Sequence, residues 1–325
     1  MAGILLPFHA VFVTGGSGFV GRYLLDTLRD RLPSAARLIA PGCDGAASLD
    51  LRDADAVHSA IASARPDLVF HLAGQSSVGQ SADAAAETWA VNVGGTLNVA
   101  RAIAAVAPAA VVAFASSSEV YGAAFNDGPV DEDSALQPRS VYARTKRSAE
   151  ELLADTLALS NRLRIFRPTN HSGPGQDTRF ALPAFANQIA AIEVGSQPPV
   201  IRVGSLTAER NFLDVRDVVV AYCDVLAARI DERAVTLNVA SSRIVPVGLL
   251  LDRLLALTDV AVAVEQDPAQ MRPSDMPRTA INAGRLHALT GWQPLRSLEV
   301  TIADVLESFR RQHRARLVLP SCQRL

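Results

Sequence analysis

The run Val11-Phe12-Val13-Thr14 passes directly into Gly15-Gly16-Ser17-Gly18-Phe19-Val20-Gly21, and a helical pattern of apolar residues follows. A short aliphatic strand, a glycine turn and a helix in that order open a βαβ unit. Glycines at 15, 18 and 21 permit a tight turn, a close approach of backbone to a pyrophosphate, and close helix–strand contact. The helix N-terminus adds unpaired N–H groups and the positive end of a dipole, which together favour an anion. A glycine turn that binds nothing is the plain alternative. The strand before it and the helix after it argue instead for a dinucleotide site.

The first half of the chain repeats that alternation. Aliphatic runs at 10–14, 38–40, 68–72, 111–115 and 163–166 read as buried parallel strands, with helices at 20–31, 53–64, 84–106 and 141–160 between them. This predicts an α/β fold with a doubly wound parallel sheet covered on both faces. After Arg167 the texture changes, with prolines at 168, 174, 183, 198 and 199 around a helix at 184–192. Helices at 215–228, 247–257 and 300–313 and a strand at 235–239 follow. The expected division is a dinucleotide-binding domain of residues 1–167, plus roughly 212–240 and 283–315. A smaller, irregular α/β substrate domain takes roughly 168–211 and 241–282. With 325 residues and 49% apolar side chains, the chain can bury two such coupled cores.

Charge excludes polyanionic partners. Lys and Arg total 31 against 33 for Asp and Glu, so no broad field draws nucleic acid or an anionic membrane. The cluster Arg310, Arg311, Arg314 and Arg316 reads as a solvated helix end. The longest apolar stretch, 102–115, is interrupted by Pro108 and falls short of the ~20 residues of a spanning helix. The apolar start, 4–13, has no basic region before it and leads into the glycine turn, which favours a strand over a signal peptide. Cys43, Cys223 and Cys322 have neither zinc-like nor redox-motif spacing, so a reducing compartment, the cytoplasm, is expected. His9, His58, His71, His171, His287 and His313 lack ligand spacing, and no metal is expected.

Tyr142-Ala143-Arg144-Thr145-Lys146 places a phenol and an ammonium four residues apart on one helix face. A neighbouring Lys⁺ is expected to favour phenolate, lowering the tyrosine from ~10 and making Tyr142 a proton donor and acceptor near neutrality. Alone, such a spacing commonly means a surface pair; its place after the fourth strand gives it weight. That strand ends in Ala115-Ser116-Ser117-Ser118-Glu119-Val120-Tyr121-Gly122, and ligands sit at the C-terminal ends of parallel strands. A serine hydroxyl there can hydrogen-bond a carbonyl, and Glu119 adds an ionisable group. A serine-rich turn with a solvated acid is the alternative. For the adenosine ribose, Asp44 would serve NAD, whereas Arg22 or Arg52 folded nearby would accept a 2′-phosphate, and that choice stays open.

Together with His71-Leu72-Ala73-Gly74 and Asn92-Val93-Gly94-Gly95-Thr96, these motifs resemble the extended short-chain dehydrogenase/reductases, Rossmann-type enzymes that act mainly on nucleotide sugars. Three later stretches, 167–176, 211–217 and 267–273, resemble the GDP-6-deoxy-4-keto-D-mannose reductases, and the likeness spans roughly residues 9–313. The resemblance implies NADP(H) or NAD(H), with NADPH slightly favoured. It places the cofactor against Gly15, Ser17, Gly18, Phe19, Val20, Gly21, Asp50, Leu51, Leu72, Ala73, Gly74, Tyr142 and Lys146. By the same resemblance Ser117 orients a C4 carbonyl, Tyr142 protonates its oxygen and Lys146 binds the nicotinamide ribose, with Glu119 beside them. Substrate contacts would come from Ser117, Ser118, Glu119, Asn170, Arg210 and Arg272, the arginines holding ribose or phosphates. The product would be a GDP-6-deoxy sugar, hexose or heptose.

GDP-mannose 4,6-dehydratases are the nearest rival, because Glu119 could remove a C5 proton. Ser117 stands where that group has threonine, and residues 175–182 lack its arginine-paired loop. An epimerase or dehydratase would recycle its cofactor. A non-catalytic nucleotide sensor would have no need of Ser117, Tyr142 and Lys146 together. A homodimer is expected through helices 84–106 and 141–160, whose small and aliphatic residues include Ala100, Ala104, Leu152 and Leu153.

Overall fold

The computed structural model describes residues 4–270 and 276–318. From the N-terminus, β1 (Ala10–Thr14) leads through the glycine turn into α1 (Phe19–Arg31). Then come β2 (Arg37–Ile39), α2 (Ala54–Ala64), β3 (Leu68–His71) and the short α3 (Val78–Asp83). Next, α4 (Ala85–Trp89) continues through a π-helical turn, Ala90–Gly94, into α5 (Gly95–Val106). β4 (Val111–Ala115), α6 (Val141–Thr156) and β5 (Arg162–Pro168) complete the first half. The second half runs β6 (Asn170–Ser172), α7 (Ala181–Glu193), β7 (Val200–Val203), β8 (Glu209–Asp214), α8 (Val215–Ala227) and β9 (Ala234–Val239). It ends with β10 (Ile244–Pro246), α9 (Val247–Leu255), β11 (Ala263–Gln266), α10 (Gly284–Thr290) and α11 (Leu298–Val318).

Strands β1 and β3 are buried at every position, as expected of aliphatic runs that have helices on both sides. They lie in a six-stranded sheet of order β2-β1-β3-β4-β5-β9, parallel throughout. Because β2 and β3 flank β1 on opposite sides, the strand order reverses there, and a crevice opens beyond the C-terminal ends of β1 and β3. The glycine turn leaves β1 at that crevice. Two smaller sheets, β10-β8-β6 and β11-β7, belong to the second half.

Two apolar cores cover the main sheet. On one face Leu24, Leu28, Val218, Tyr222, Leu286 and Trp292 meet Val11, Phe70 and Phe166; on the other Val57, Ile61, Val99, Ile103 and Leu153 meet Phe12, Val69 and Val112. Each such side chain, once buried, contributes ~1.5–3 kcal/mol. A third core joins Leu182, Phe185 and Ile189 of α7 to Leu250 and Leu254 of α9 and to Ile302, Val305, Leu306 and Phe309 of α11. The sequence pattern groups 298–309 with the sheet domain, whereas their stripe at helical spacing faces α7. The helix expected at 84–106 is interrupted by its π turn, and α3 precedes it unannounced. Ala100 and Leu153, named for a partner-facing surface, lie inside the second core, and Leu152 packs against it. Among the described residues no helix is long and apolar enough to cross a membrane.

Candidate active site

The glycine turn is built around contacts that leave no room for side chains. A Cβ on Gly15, whose φ is +74°, would lie 2.7 Å from the Ala73 backbone nitrogen, and one on Gly21 would lie 2.1 Å from the Gly15 carbonyl oxygen. Helix α1 therefore starts hard against the exit of β3. Its N-cap is Gly18, which brings no side-chain acceptor, and its first turn carries no acid. The first N–H groups and the dipole end are thus left for an external anion, so the turn fits a dinucleotide pyrophosphate. Ser17 and Gly18 are exposed at its tip, and Phe19 and Val20 are half-buried behind them.

The residues considered for the adenosine end are engaged elsewhere. Asp44, exposed in the loop after β2, pairs with Arg29 at 3.0 Å, and Arg22 donates to the Gly175 carbonyl at 3.1 Å. Arg52 bonds Asp50 at 2.6 Å and Glu87 at 2.8 Å, and its hydrogen bonds hold the Asp50 carboxyl down at about 2. Leu51 is buried, and its carbonyl accepts from Asn98 Nδ2 at 2.8 Å.

Beyond β3, Leu72 and Ala73 lie half-buried, with the Leu72 and Ala73 N–H groups tied to Thr14. Gly74, at φ +156°, comes so near α5 and α6 that a Cβ would sit 2.8 Å from Asn92 Oδ1 and 3.8 Å from Lys146 Nζ. The π turn gives the helix an extra residue where Asn92 faces inward, a common use of such turns at functional sites. Asn92 accepts from Gln75 N–H at 2.7 Å and donates to Thr145 Oγ1 at 3.0 Å. His71 lies at hydrogen-bond distance from Thr14 Oγ1 (2.7 Å) and Thr96 Oγ1 (2.9 Å), and burial, with Lys146 nearby, drives it down to about 3. It is a neutral strut between β1, β3 and α5. Asn92, Thr96 and His71 carry no signal of such roles in the sequence beyond their motifs, because each acts only through neighbours distant in the chain.

Facing Gly74, β4 delivers Ser117 and α6 delivers Tyr142 and Lys146. Ser140 caps α6 by accepting from Ala143 N–H, which fixes the start of the helix at Val141. Ser117, Ser118 and Tyr142 are buried, and the Ser117 hydroxyl accepts from Glu119 N–H at 3.2 Å. Lys146 donates to the Ala115 carbonyl at 2.7 Å and lies 4.8 Å from the centre of the Phe114 ring. It is the only lysine in the sequence; every other one of the 31 basic residues is arginine. Burial pulls it down to about 8, against the opposing charge of Glu150.

The expectation that Lys146 would lower the Tyr142 pKa is not met. Burial pushes the phenol up to about 12, the neighbouring Ser117 hydroxyl partly opposes this, and the charge of half-buried Glu119 adds to it. The reason is geometric: the ammonium is directed at the β4 carbonyl. At neutral pH Tyr142 is therefore a neutral phenol, the form that gives up a proton.

Of the residues expected to hold substrate, Asn170 is exposed at the start of β6, and Arg210 is half-buried on β8 with Nη1 donating to Glu209 O at 2.9 Å. Asn170 registers with Phe212, so Arg210 sits two residues along the neighbouring strand on the same face. Arg272 lies outside the described residues. Strand β6 and the loop after it reach the cofactor side, with His171 stacked on Phe19 at 6.3 Å and Tyr23 donating to Pro174 O at 2.8 Å. It brings the second half of the chain over the glycine turn.

This pairing of a glycine turn with Ser117, Tyr142 and Lys146 coincides with a match of residues 11–240 to the NAD-dependent epimerase/dehydratase family. The chain belongs to that family. It is 35% identical over 300 residues to a GDP-6-deoxy-D-mannose reductase of Pseudomonas aeruginosa, covering 92% of this chain and 95% of the relative. It is 29% identical to a UDP-glucose 4-epimerase of Mycolicibacterium smegmatis, covering 92% and 97%. Among solved structures, RMD from Pseudomonas aeruginosa complexed with NADPH superposes with a TM-score of 0.81 at 32% identity, over 93% of this chain and 99% of that one. MoeE5 in complex with UDP-glucose and NAD superposes with a TM-score of 0.79 at 26% identity, over 94% and 99%. Family members of this architecture thus carry either dinucleotide.

Proposed function

We propose that the chain reduces the C4 keto group of a GDP-4-keto-6-deoxy sugar, hexose or heptose, to the alcohol with NADPH or NADH. The observation that carries this reading is the convergence of Ser117, a neutral, buried Tyr142 and Lys146 beside Gly74, next to the crevice that the glycine turn opens. Bound in that crevice, the reduced nicotinamide supplies the hydride. Ser117 and Tyr142 together hold the carbonyl oxygen, and Tyr142 gives it a proton as charge builds there. The Lys146 ammonium, beside Gly74, holds the nicotinamide ribose. Asn170, Arg210 and Arg272 bind the nucleotide diphosphate. Gly15, Ser17, Gly18, Phe19, Val20 and Gly21 bind the cofactor pyrophosphate, Asp50 and Leu51 lie toward the adenine, and Leu72, Ala73 and Gly74 lie along the nicotinamide half.

A dehydratase or epimerase is the second reading, favoured by the charge of Glu119 acting on Tyr142. One experiment separates the two. Purified protein is given a pre-formed GDP-4-keto-6-deoxy sugar, and cofactor oxidation is measured against sugar consumed. A reductase consumes one NADPH or NADH per sugar; turnover without net oxidation would sink the proposal. The protein is assigned to the cytoplasm and to a homodimer in which α4, α5 and α6 meet their counterparts. Trp89, 40% exposed on α4 beside Arg144 and Arg147 of α6, supports that face. A monomeric mass by light scattering at micromolar concentration refutes the dimer.

A further inference from the structure

The turn that carries Ser117 is gripped on both sides by one buried ion pair. Glu150, one turn beyond Lys146 on α6, and Arg167 on β5 are 6% and 7% exposed. They are bonded twice, Arg167 Nε donating to Oε1 at 3.0 Å and Nη2 to Oε2 at 2.6 Å. Before the turn, Ser116 donates its hydroxyl to Glu150 Oε1. After the turn, Arg167 Nη1 donates to the Tyr121 hydroxyl at 3.0 Å, and the guanidinium lies 5.1 Å from the centre of that ring. The Tyr121 hydroxyl donates onward to Asn238 Oδ1 of β9 at 2.7 Å, and Asn238 N–H donates to Glu132 Oε1 at 2.8 Å. The ends of β4, β5 and β9 and the middle of α6 are therefore cross-linked directly behind Ser117, Ser118 and Glu119.

Stability alone is a weak reason for such a pair, because desolvation offsets most of its Coulomb attraction and apolar replacements are often as stable. Its placement is the informative feature. Ser116 and Tyr121 bracket the turn, so any shift of the pair displaces Ser117 relative to Tyr142. Glu150 is also the carboxylate that acts on Lys146. The other groups packed around that ammonium are the Ala115 carbonyl and Phe114 ring of β4, neutral His71 of β3, and Gly74. Resting on the reductase reading above, we propose that Glu150 and Arg167 are positioning residues that fix the Ser117 turn at both ends, and that Glu150, one turn from Lys146 on the same face of α6, is the carboxylate that partners its ammonium.

The sequence offers an unusual test. With a single lysine, lysine-selective ¹³C labelling gives one side-chain signal, and its titration needs neither substrate nor turnover. Glu150→Gln is expected to lower the protonation constant of that lysine about tenfold, the effect of losing a close opposite charge. Tyr121→Phe keeps the carboxylate and removes one grip on the turn. It is expected to leave the lysine titration in place and to lower kcat about tenfold, with KM and NADPH affinity within about twofold. An unmoved lysine titration in Glu150→Gln, or full kcat in Tyr121→Phe, overturns the proposal. Should Glu150→Gln fail to fold, Glu150→Asp keeps the charge but withdraws it from Ser116; it should keep the titration and lose kcat, and a normal kcat there overturns the clamp. If the unaltered protein oxidises no cofactor with the 4-keto sugar, the reductase reading fails by itself, and the lysine titration alone then decides the role of Glu150.

Discussion

Lys146 stands alone as an amine in a chain whose other cations are all guanidinium groups. Arginine stays charged at any accessible pH, whereas a buried ammonium shifts into the working range, which is what this position requires. At about 8, Lys146 is mostly charged at pH 7 and loses its proton as pH rises through that value. Tyr142, held near 12, stays neutral across the same range. Tyr142→Phe therefore removes the proton donor without moving a charge. It should lower kcat by ~10²–10⁴ while NADPH affinity, followed by fluorescence, stays within a few-fold. Full activity in that variant would reassign the donor. His71 gives a stability prediction with the opposite pH sense. Its folded value of about 3 lies below the ordinary 6.5, so the unfolded chain binds the extra proton between those limits. Stability from this group is complete above pH 6.5 and falls as pH drops toward 3, by about 1.4 kcal/mol per pH unit in mid-window. In His71→Asn, urea unfolding at pH 4.5 and pH 6.5 should show a slope smaller by about that amount; an identical slope would show that His71 does not titrate on unfolding.

At the scale of elements, what the sequence shows is whatever a local pattern carries. Runs such as 10–14 and 111–115 are legible as strands because burial on both faces demands aliphatic residues at every position. The interruption at Ala90–Gly94 is not legible, since a π turn is stabilised by what Asn92 and Thr96 reach, in β3 and α6, and not by local composition. Strands of three residues, β6 and β10, exist only through their pairing with β8 and have no period to detect. The site divides in the same way. Tyr142 and Lys146 are readable as a pair from spacing and Ser117 from its place after β4, but Lys146 turning to the Ala115 carbonyl is not, because helix spacing gives proximity and leaves direction to the partner strand. The glycine turn is the element where local and tertiary demands coincide, and Gly21 tests it. A methyl there meets two carbonyl oxygens, at 2.1 Å from Gly15 and 2.6 Å from Gly16, so α1 must move off the turn. Gly21→Ala should cost about 1–3 kcal/mol by overpacking, and it should raise the NADPH dissociation constant more than about tenfold as the anion-facing N–H groups shift. Unchanged affinity in a folded variant would separate the turn from the cofactor.

At the scale of the molecule, the sheet and the smaller unit must hold one position if nucleotide sugar and cofactor are to meet at C4. Contacts from α1 to the 171–175 loop form one join, and Asp214 forms the other. Its carboxylate, fully buried at the junction of β8 and α8, accepts from Arg216 N–H at 2.8 Å, Nε at 2.7 Å and Nη2 at 2.6 Å, and from the Thr301 hydroxyl of α11 at 2.8 Å. Arg216 reaches across to Asp304 of α11 at 2.7 Å. One acid thus caps α8, pairs its first arginine and anchors the helix whose other face completes the third core. Replacing it by Asn keeps the shape but turns an acceptor oxygen into an amide donor facing donors. A fully buried pair broken in this way costs ~3–5 kcal/mol, but Arg216 is 27% exposed and retains Asp304, so Asp214→Asn should cost about 2–3 kcal/mol. Asp304→Asn, altering a carboxylate that is 40% exposed, should cost less than about 1 kcal/mol. Urea unfolding of both variants at neutral pH measures the difference. If the two cost the same, the join between the units rests on apolar packing of α11, and Asp214 acts only as a helix cap.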